Sequence, residues 1–215
     1  MPHEIEAKFH LSAPEPFRRR LAELGGRPAG RVLEVNRILD TAGGRLLKAD
    51  CGLRVRECRP LGGGADAPAT ALLTYKGPRQ RAADFRPPGA AQAEACGSAE
   101  GALSGALKTR EEVETLVADA AALVAVFERL GYHTAILYEK RRETWHLGPC
   151  AVTLDELPRL GWWVEIEGPD AVAVERVRAE LGLAQTPIVP DTYVELAARH
   201  GAADADGCRR LVFGA

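Results

Sequence analysis

Charged side chains at alternating positions near the amino terminus could bind a metal ion and an anion together. The segment Glu4-Ile5-Glu6-Ala7-Lys8 places two carboxylates and an ammonium at every second residue. In a β-strand, alternate side chains point to the same face of the sheet, so these three charges would share one face. Carboxylate oxygens suit Mg²⁺ or Mn²⁺, and the neighbouring ammonium suits a phosphate. The pattern therefore predicts a strand that presents a metal site beside an anion site.

The same alternation recurs along the chain, most clearly in Val164-Glu165-Ile166-Glu167. Seven predicted strands carry charged or hydroxyl side chains at every second position, with mostly apolar residues between them. These polar residues are Glu4, Glu6, Lys8, Arg54, Arg56, Thr74, Lys76, Arg110, Glu112, Glu114, Lys140, Arg142, Thr153, Asp155, Glu165 and Glu167. One such strand alone is typical of an antiparallel sheet with one solvated face. Arg and Glu at nearly all of these positions favour a barrel with a charged interior and an apolar outside covered by helices.

An interior that holds charges of both signs indicates a particular kind of ligand. Arg and Lys side chains bind phosphate oxygens, and a carboxylate cluster binds a metal that bridges those phosphates. A basic groove without carboxylates would have indicated nucleic acid instead. We therefore predict that the barrel binds a triphosphate together with a divalent metal.

The elements that must position these residues can be read from the same sequence. We predict strands at about 3–11, 31–40, 53–57, 71–76, 110–114, 133–146, 150–155 and 162–167, and helices at about 12–24, 115–130, 170–181 and 191–200. The segment Ser12-Ala13-Pro14-Glu15 predicts a capping box at the first helix. Residues 79–106, rich in Ala, Gly and Pro, predict a long loop, and residues 201–215 predict a tail. We therefore expect a single domain over residues 1–200.

Composition excludes several classes of protein. The chain has 215 residues, of which 46% are hydrophobic, and its net charge is −2, which gives no support for a nucleic-acid binder. No apolar run is long enough to span a bilayer, and an acidic residue at position 4 argues against a secretory signal. The five cysteines lack CxxC spacing, which favours reduced thiols. We expect a cytoplasmic protein without nucleic-acid or membrane partners, and the sequence leaves open whether it forms a homodimer.

Ordered blocks over about residues 3–197 resemble the CYTH superfamily, the triphosphate tunnel metalloenzymes. The blocks are Glu4-Ile5-Glu6-Ala7-Lys8, Glu34-Val35-Asn36 to Asp40-Thr41, Leu53-Arg54-Val55-Arg56, Leu73-Thr74-Tyr75-Lys76-Gly77-Pro78, Arg110-Glu111-Glu112-Val113-Glu114, Glu139-Lys140-Arg141-Arg142, Leu154-Asp155-Glu156-Leu157, Gly161-Trp162-Trp163-Val164-Glu165-Ile166-Glu167-Gly168 and Tyr193-Val194-Glu195-Leu196. The sequences of these blocks are most similar to those of class IV adenylyl cyclase-like proteins. The chain departs from some members at Ile38-Leu39-Asp40, where those members carry a Tyr.

The resemblance implies an α+β fold with an eight-stranded antiparallel β-barrel, the triphosphate tunnel, and helices packed outside. It also implies that the helix containing Tyr193 closes one end. The metal, Mg²⁺ or Mn²⁺, would be held by Glu4, Glu6, Asp155, Glu165 and Glu167. The triphosphate would be bound by Lys8, Arg54, Arg56, Lys76, Arg110, Lys140 and Arg142. No residue is an obvious general base, and Lys76, the carboxylate of Glu112 and a metal-bound water are the candidates.

Three functions follow from the resemblance and the charge pattern. The first is a class IV adenylyl cyclase-like reaction, in which ATP gives cyclic AMP and pyrophosphate. The second is hydrolysis of thiamine triphosphate or inorganic triphosphate. The third is a non-catalytic module that binds polyphosphate or a nucleotide, which would not need the carboxylates of the metal site.

Overall fold

The structure, a computed structural model, describes residues 5–62, 69–78, 80–81, 108–109 and 111–214. The predicted site residues Glu4 and Arg110 lie outside these ranges, as does most of the predicted loop 79–106. The strands are β1 Ile5–Leu11, β2 Arg27–Thr41, β3 Gly52–Pro60, β4 Thr70–Lys76, β5 Gln80–Arg81, β6 Lys108–Thr109, β7 Glu112–Val117, β8 Tyr132–Leu147, β9 Cys150–Leu157, β10 Gly161–Gly168, β11 Ala202–Ala203 and β12 Arg209–Leu211. The helices are α1 Pro14–Glu23, α2 Arg45–Lys48, α3 Ala120–Arg129, α4 Ala171–Glu180 and α5 Tyr193–His200.

One antiparallel sheet dominates the described part of the chain. Its strands lie in the order β1-β10-β9-β8-β2-β3-β4-β7, and each is antiparallel to its neighbours. The two longest strands, β2 and β8, have 15 and 16 residues and pair with each other at the centre. The predicted α+β class and the eight antiparallel strands are confirmed.

The sheet is curved but not closed, which corrects the prediction of a closed barrel. In the described ranges, the edge strands β1 and β7 do not pair with each other. Lys76 on β4 nevertheless lies close enough to Glu6 on β1 for its charge to act on the pKa of that carboxyl, so the two edges curve towards each other. The edge strands β1 and β7 are short, and both carry carboxylates on the inner face. Pairing them would bring like charges opposite each other, which is destabilising.

Helices α1 and α4 cover the outer face of the sheet beside β1, β10 and β9. On these three strands, the apolar side chains that alternate with the charged ones pack against the helices in one cluster, which includes Phe9, Leu21, Val152, Val164 and Val174. All five are almost completely buried. The predicted division between a packed outer face and a polar inner face follows from this arrangement.

A second cluster, the end plug, covers the inner face at one end. It consists of Ile38, Ile136, Tyr138, Leu157, Trp163, Tyr193, Leu196, Ala197 and Leu211. The strand residues in this set share their face with the charged residues, and the remainder come from α5 and β12. Helix α5 therefore closes this end of the inner face. No helix in the described ranges is both long enough and apolar enough to cross a membrane.

Two helix starts differ from the predictions. Helix α1 begins at Pro14 with Ala13 as its N-cap, and no side chain caps it, so the predicted capping box is wrong. The fixed φ of a proline suits the first position of a helix, and this places Ser12 one residue too early to cap. Helix α3 begins at Ala120, after the side chain of Asp119 accepts a hydrogen bond from the Ala122 amide. The residues before it form β7, because pairing with β4 competes with their helical pattern.

The chain beyond α5, for which the sequence predicted only a tail, is part of the sheet. Strands β11 and β12 form a small antiparallel hairpin, and β12 runs parallel to the first half of β8. Leu211 is fully buried in the end plug, and the Phe213 amide donates to Glu139 at 2.9 Å. The sequence signal is weak here, because a three-residue strand is too short to show alternation.

We predict that Leu211→Ala lowers the free energy of unfolding by about 2–5 kcal/mol, because it leaves a cavity in the end plug. Leu130→Ala is the control, since Leu130 is 67% exposed, and it should change the free energy by no more than about 0.5 kcal/mol. Urea denaturation of both variants gives the comparison. Equal effects would show that the carboxyl-terminal segment does not contribute to the fold.

Candidate functional site

Most of the polar residues predicted from the alternation lie together on the inner face. The paired strands place them next to one another in register, and ion pairs link them across the strands. The described members are Glu6, Lys8, Arg54, Arg56, Thr74, Lys76, Glu112, Glu114, Lys140, Arg142, Thr153, Asp155, Glu165 and Glu167. The structure therefore brings the predicted cations and carboxylates onto one surface.

Arg142 and Asp155 form the centre of this surface. The two residues are opposite each other on β8 and β9, and the guanidinium donates to both carboxylate oxygens at 2.7 and 2.6 Å. Arg142 also pairs with Glu165 on β10. Burial raises the pKa of Asp155, but the charges of Arg142 and Lys140 outweigh burial and lower it well below its ordinary value. Asp155 is therefore ionised, fully buried and shared between two cations in this arrangement. Its predicted role as a metal ligand stays a prediction.

Glu34 on β2 is a site residue that the sequence prediction did not include. Its carboxylate lies 3.4 Å from Lys140, 3.5 Å from Arg56 and 3.8 Å from Arg142. Burial would raise its pKa, but the charges of these three cations lower it to about 2. The signal was present in the sequence, because Glu34 and Asn36 alternate with Leu33 and Val35. Charged residues lie on both faces of this strand, as with Glu34 and Arg37, so the alternation gave too little contrast.

Lys8 lies on the edge strand β1, and its contacts come from β10 and from the segment just before α5. Its ammonium pairs with Glu165 at 3.2 Å and donates to the backbone carbonyl of Asp191 at 3.0 Å. The ring of Tyr193, the first residue of α5, lies under this ammonium. The end plug therefore contacts the charged surface directly.

A second group of inner residues lies towards the edge strand β7. Arg54 donates to the Thr74 hydroxyl at 3.4 Å, and that hydroxyl donates to Glu114 at 2.7 Å. Lys76 forms an ion pair with Glu112. Burial, and then the charge of Arg56, lowers the pKa of Arg54. A negatively charged ligand would relieve this cost, because it would add negative charge beside two neighbouring guanidiniums that share the single carboxylate of Glu34.

The carboxylates Glu6, Glu165 and Glu167 lie on neighbouring strands at the other edge. Glu6 is directly opposite Glu167 and diagonal to Glu165. Glu6 is accessible to solvent, but the protein that surrounds it and the charge of Glu165 raise its pKa. In the described ranges, no group of three or more acidic, His or Cys side chains is gathered closely enough to hold a metal by itself. The residues nevertheless fit Mg²⁺ or Mn²⁺ in kind, because hard carboxylate oxygens suit a cation that takes further ligands from phosphate and water.

A comparison with protein families agrees with this geometry. The CYTH domain model matches residues 2–193 of the chain. The chain belongs to the CYTH domain family. The match extends over the sheet and ends at Tyr193, so most of α5 and the hairpin of β11 and β12 lie beyond this CYTH domain match.

Solved structures share this CYTH fold. A protein of Pyrococcus horikoshii OT3 is similar with a TM-score of 0.65 and 21% identity, covering 90% of this chain and 98% of that one. A candidate adenylate cyclase from Vibrio parahaemolyticus has a TM-score of 0.63 and 19% identity, covering 91% and 98%. A candidate adenylyl cyclase from Hippeastrum, described as having a dominant triphosphatase activity, has a TM-score of 0.58 and 17% identity, covering 91% and 96%. No curated protein sequence matches the chain.

We predict that Glu34→Gln destabilises the protein by about 3 kcal/mol near neutral pH. A carboxylate whose pKa falls from 4.5 in the unfolded chain to about 2 in the folded one stabilises the fold by roughly this amount. The contribution is fully present above the unfolded pKa and is lost as the pH falls towards the folded pKa. The difference between the two proteins should therefore shrink below about pH 4.5.

Urea denaturation at several pH values measures this difference. Glu156→Gln is the matched control, because it removes a half-buried carboxylate that pairs with Arg141 on the outer face of β9. We expect that control to change the free energy of unfolding by at most about 1 kcal/mol. A Glu34→Gln effect that does not depend on pH would contradict the assigned ion pairs.

Proposed function

We propose that this CYTH domain is a metal-dependent enzyme that acts on a small-molecule triphosphate. One observation carries the proposal: Lys8, Arg56, Lys140 and Arg142, from three separate strands, converge on a surface that buried carboxylates hold in place. Phosphoryl transfer needs positive charge around the phosphate oxygens and the leaving group, positioned before the reaction begins. The inner face supplies this arrangement.

Each predicted group has a place in the proposal. The ammonium and guanidinium groups on β1, β3, β4 and β8 bind the phosphate oxygens, with Arg110 assigned only by resemblance. Glu6, Glu165 and Glu167, with Glu4 by resemblance, hold Mg²⁺ or Mn²⁺. When bound, that metal would neutralise charge on the phosphates and the leaving group. Asp155, predicted as a further metal ligand, and Glu34 hold the cations in position.

Lys76 and Glu112 take different parts in this proposal although they contact each other. The ammonium of Lys76 donates to the carboxylate of Glu112, so Lys76 is the phosphate ligand of the pair. Glu112 has an exposed side chain and is the group that can accept a proton. We therefore assign Glu112 as the candidate general base and Lys76 as the residue that binds substrate and orients that base.

Two reactions are consistent with this surface, and different neighbours favour each one. The sequences of the motifs and the structural neighbour from Vibrio parahaemolyticus, a candidate adenylate cyclase, favour conversion of ATP to cyclic AMP and pyrophosphate. The Hippeastrum neighbour, with its dominant triphosphatase activity, favours hydrolysis of a triphosphate. A non-catalytic binding module is less well supported, because such a module would not need the carboxylates at the β1 edge.

We predict that Glu6→Gln and Glu167→Gln each lower metal-dependent turnover by roughly 100-fold or more, because each removes a metal ligand. Glu6→Gln should not lower the melting temperature, since it removes a carboxylate whose raised pKa shows that its charge is unfavourable in the folded protein. Glu156→Gln, on the outer face, is the control for both and should remain active. Full activity in either inner variant would contradict the assignment of the metal site.

The product assay decides between the reactions. The protein is incubated separately with ATP, thiamine triphosphate and inorganic triphosphate, with Mg²⁺ or Mn²⁺, and with a chelator as control. Cyclic AMP and pyrophosphate from ATP identify a cyclase, whereas orthophosphate without cyclic AMP identifies a triphosphatase. No product from any of the three, together with binding that is insensitive to the chelator, would overturn the enzyme proposal.

A further inference from the structure

One aromatic ring contacts two of the phosphate-binding ammoniums from different strands. The ammonium of Lys8 lies 4.1 Å from the centre of the Tyr193 ring, and that of Lys140 lies 4.6 Å from it. Lys8 is on β1 and Lys140 is on β8, and two further strands separate these in the sheet. Tyr193 therefore joins two cations that the sheet alone does not bring into contact.

Each of the two ammoniums is otherwise held by oxygen atoms on its own side. Lys8 has Glu165 and the carbonyl of Asp191, and Lys140 has Glu34 and Asp155. An ammonium has three N–H donors, so these pairs leave one donor on each lysine for a ligand in the described part of the site. The face of an aromatic ring attracts a cation without a fixed donor direction, so it holds both ammoniums and leaves that third donor unused.

The ring itself is fixed by the surrounding structure. Tyr193 is 6% exposed, and the indole of Trp163 meets it edge to face with ring centres 6.5 Å apart. The helix that carries it begins with a complete capping box between Thr192 and Glu195. The backbone carbonyl of Asp191 accepts from Lys8, and the carboxylate of Asp191 pairs with Arg199 on α5. The helix and the end plug thus hold the ring in position.

We propose that Tyr193 is a positioning residue for the triphosphate, and that its ring sets the separation of the Lys8 and Lys140 ammoniums so that both bind one phosphate chain. This rests on the proposed function of the inner face as a triphosphate site. We assign this role to the ring because both ammoniums lie over it, whereas the hydroxyl acts on Asp155 and helps to lower the pKa of that carboxyl.

Three variants separate the ring from the hydroxyl and from packing. Tyr193→Phe keeps the ring, whereas Tyr193→Leu removes it. Tyr193→Met also removes it, and its flexible side chain fills irregular space, which protects the test if the Leu variant does not fold. Ile136→Val is the matched control, because it removes buried apolar volume from the same end plug on β8 without touching either ammonium.

Isothermal titration with inorganic triphosphate measures binding, and steady-state kinetics with the preferred substrate measures KM and kcat. We expect Tyr193→Phe and Ile136→Val to bind as the wild type does. We expect the Leu or Met variant to bind about tenfold more weakly, with KM raised by the same factor and kcat changed less, which corresponds to about 1.4 kcal/mol. A merely structural role would weaken the control as well, in proportion to its loss of melting temperature.

The outcomes distinguish this proposal from the proposed function. A folded Leu or Met variant that binds triphosphate as tightly as the wild type overturns the role of Tyr193, as does a Phe variant that is weakened equally. If the wild-type protein binds triphosphate without converting any substrate, the enzyme proposal fails while the titrations still decide the role of Tyr193. If the wild type does not bind triphosphate, both proposals fail.

Discussion

The structure depends on one electrostatic constraint: cations gathered on an inner surface must each find a negative partner. Unpaired charges away from bulk water are costly, and two guanidiniums beside two ammoniums would repel one another. Glu34, Asp155 and Glu165 meet this need by contacting two or more cations each. Because each of these three carboxylates is shared, moving one strand would disturb partners on its neighbours. The same ion pairs therefore fix both the register of the sheet and the geometry of the site.

The carboxylates of this surface differ in role because they differ in the cations that surround them. Carboxylates at the centre, surrounded by several cations, have lowered pKa values and stay ionised. Glu6, at the β1 edge, has a raised pKa because burial and Glu165 act in the same direction. The first kind of acid holds the protein's own cations, whereas the cations near Glu6 do not outweigh burial and Glu165, so an added metal would stabilise its charge. Acidic residues that look alike in sequence thus differ in role through their neighbours.

Much of the fold could be predicted because a period of two is a direct consequence of strand geometry. Arg54 with Arg56, or Glu165 with Glu167, fall on one face in any strand, and the structure places them there. The lack of pairing between β1 and β7 in the described ranges could not be predicted, since it depends on the relative position of strands that are distant in sequence. The strand β12 was missed because three residues carry no pattern, and Glu34 because its partners come from other strands. Sequence periodicity predicts which residues share a face of the sheet. Which charges on that face pair with each other across strands is decided by tertiary structure.

The hydrogen bond between Lys8 and the carbonyl of Asp191 has a consequence for how the molecule is made. These residues are 183 positions apart, and the backbone of β1 is joined to the same segment through the Val189 amide and the Lys8 carbonyl. During synthesis, β1 leaves the ribosome long before its partners exist, so this half of the surface stays incomplete until almost the whole chain has emerged. Lys8 on the nascent chain therefore lacks its partners Glu165 and Asp191, whereas Glu34 is made before Arg56, Lys140 and Arg142. Folding order, and not only the final energy, therefore determines when the β1 side of this surface is complete.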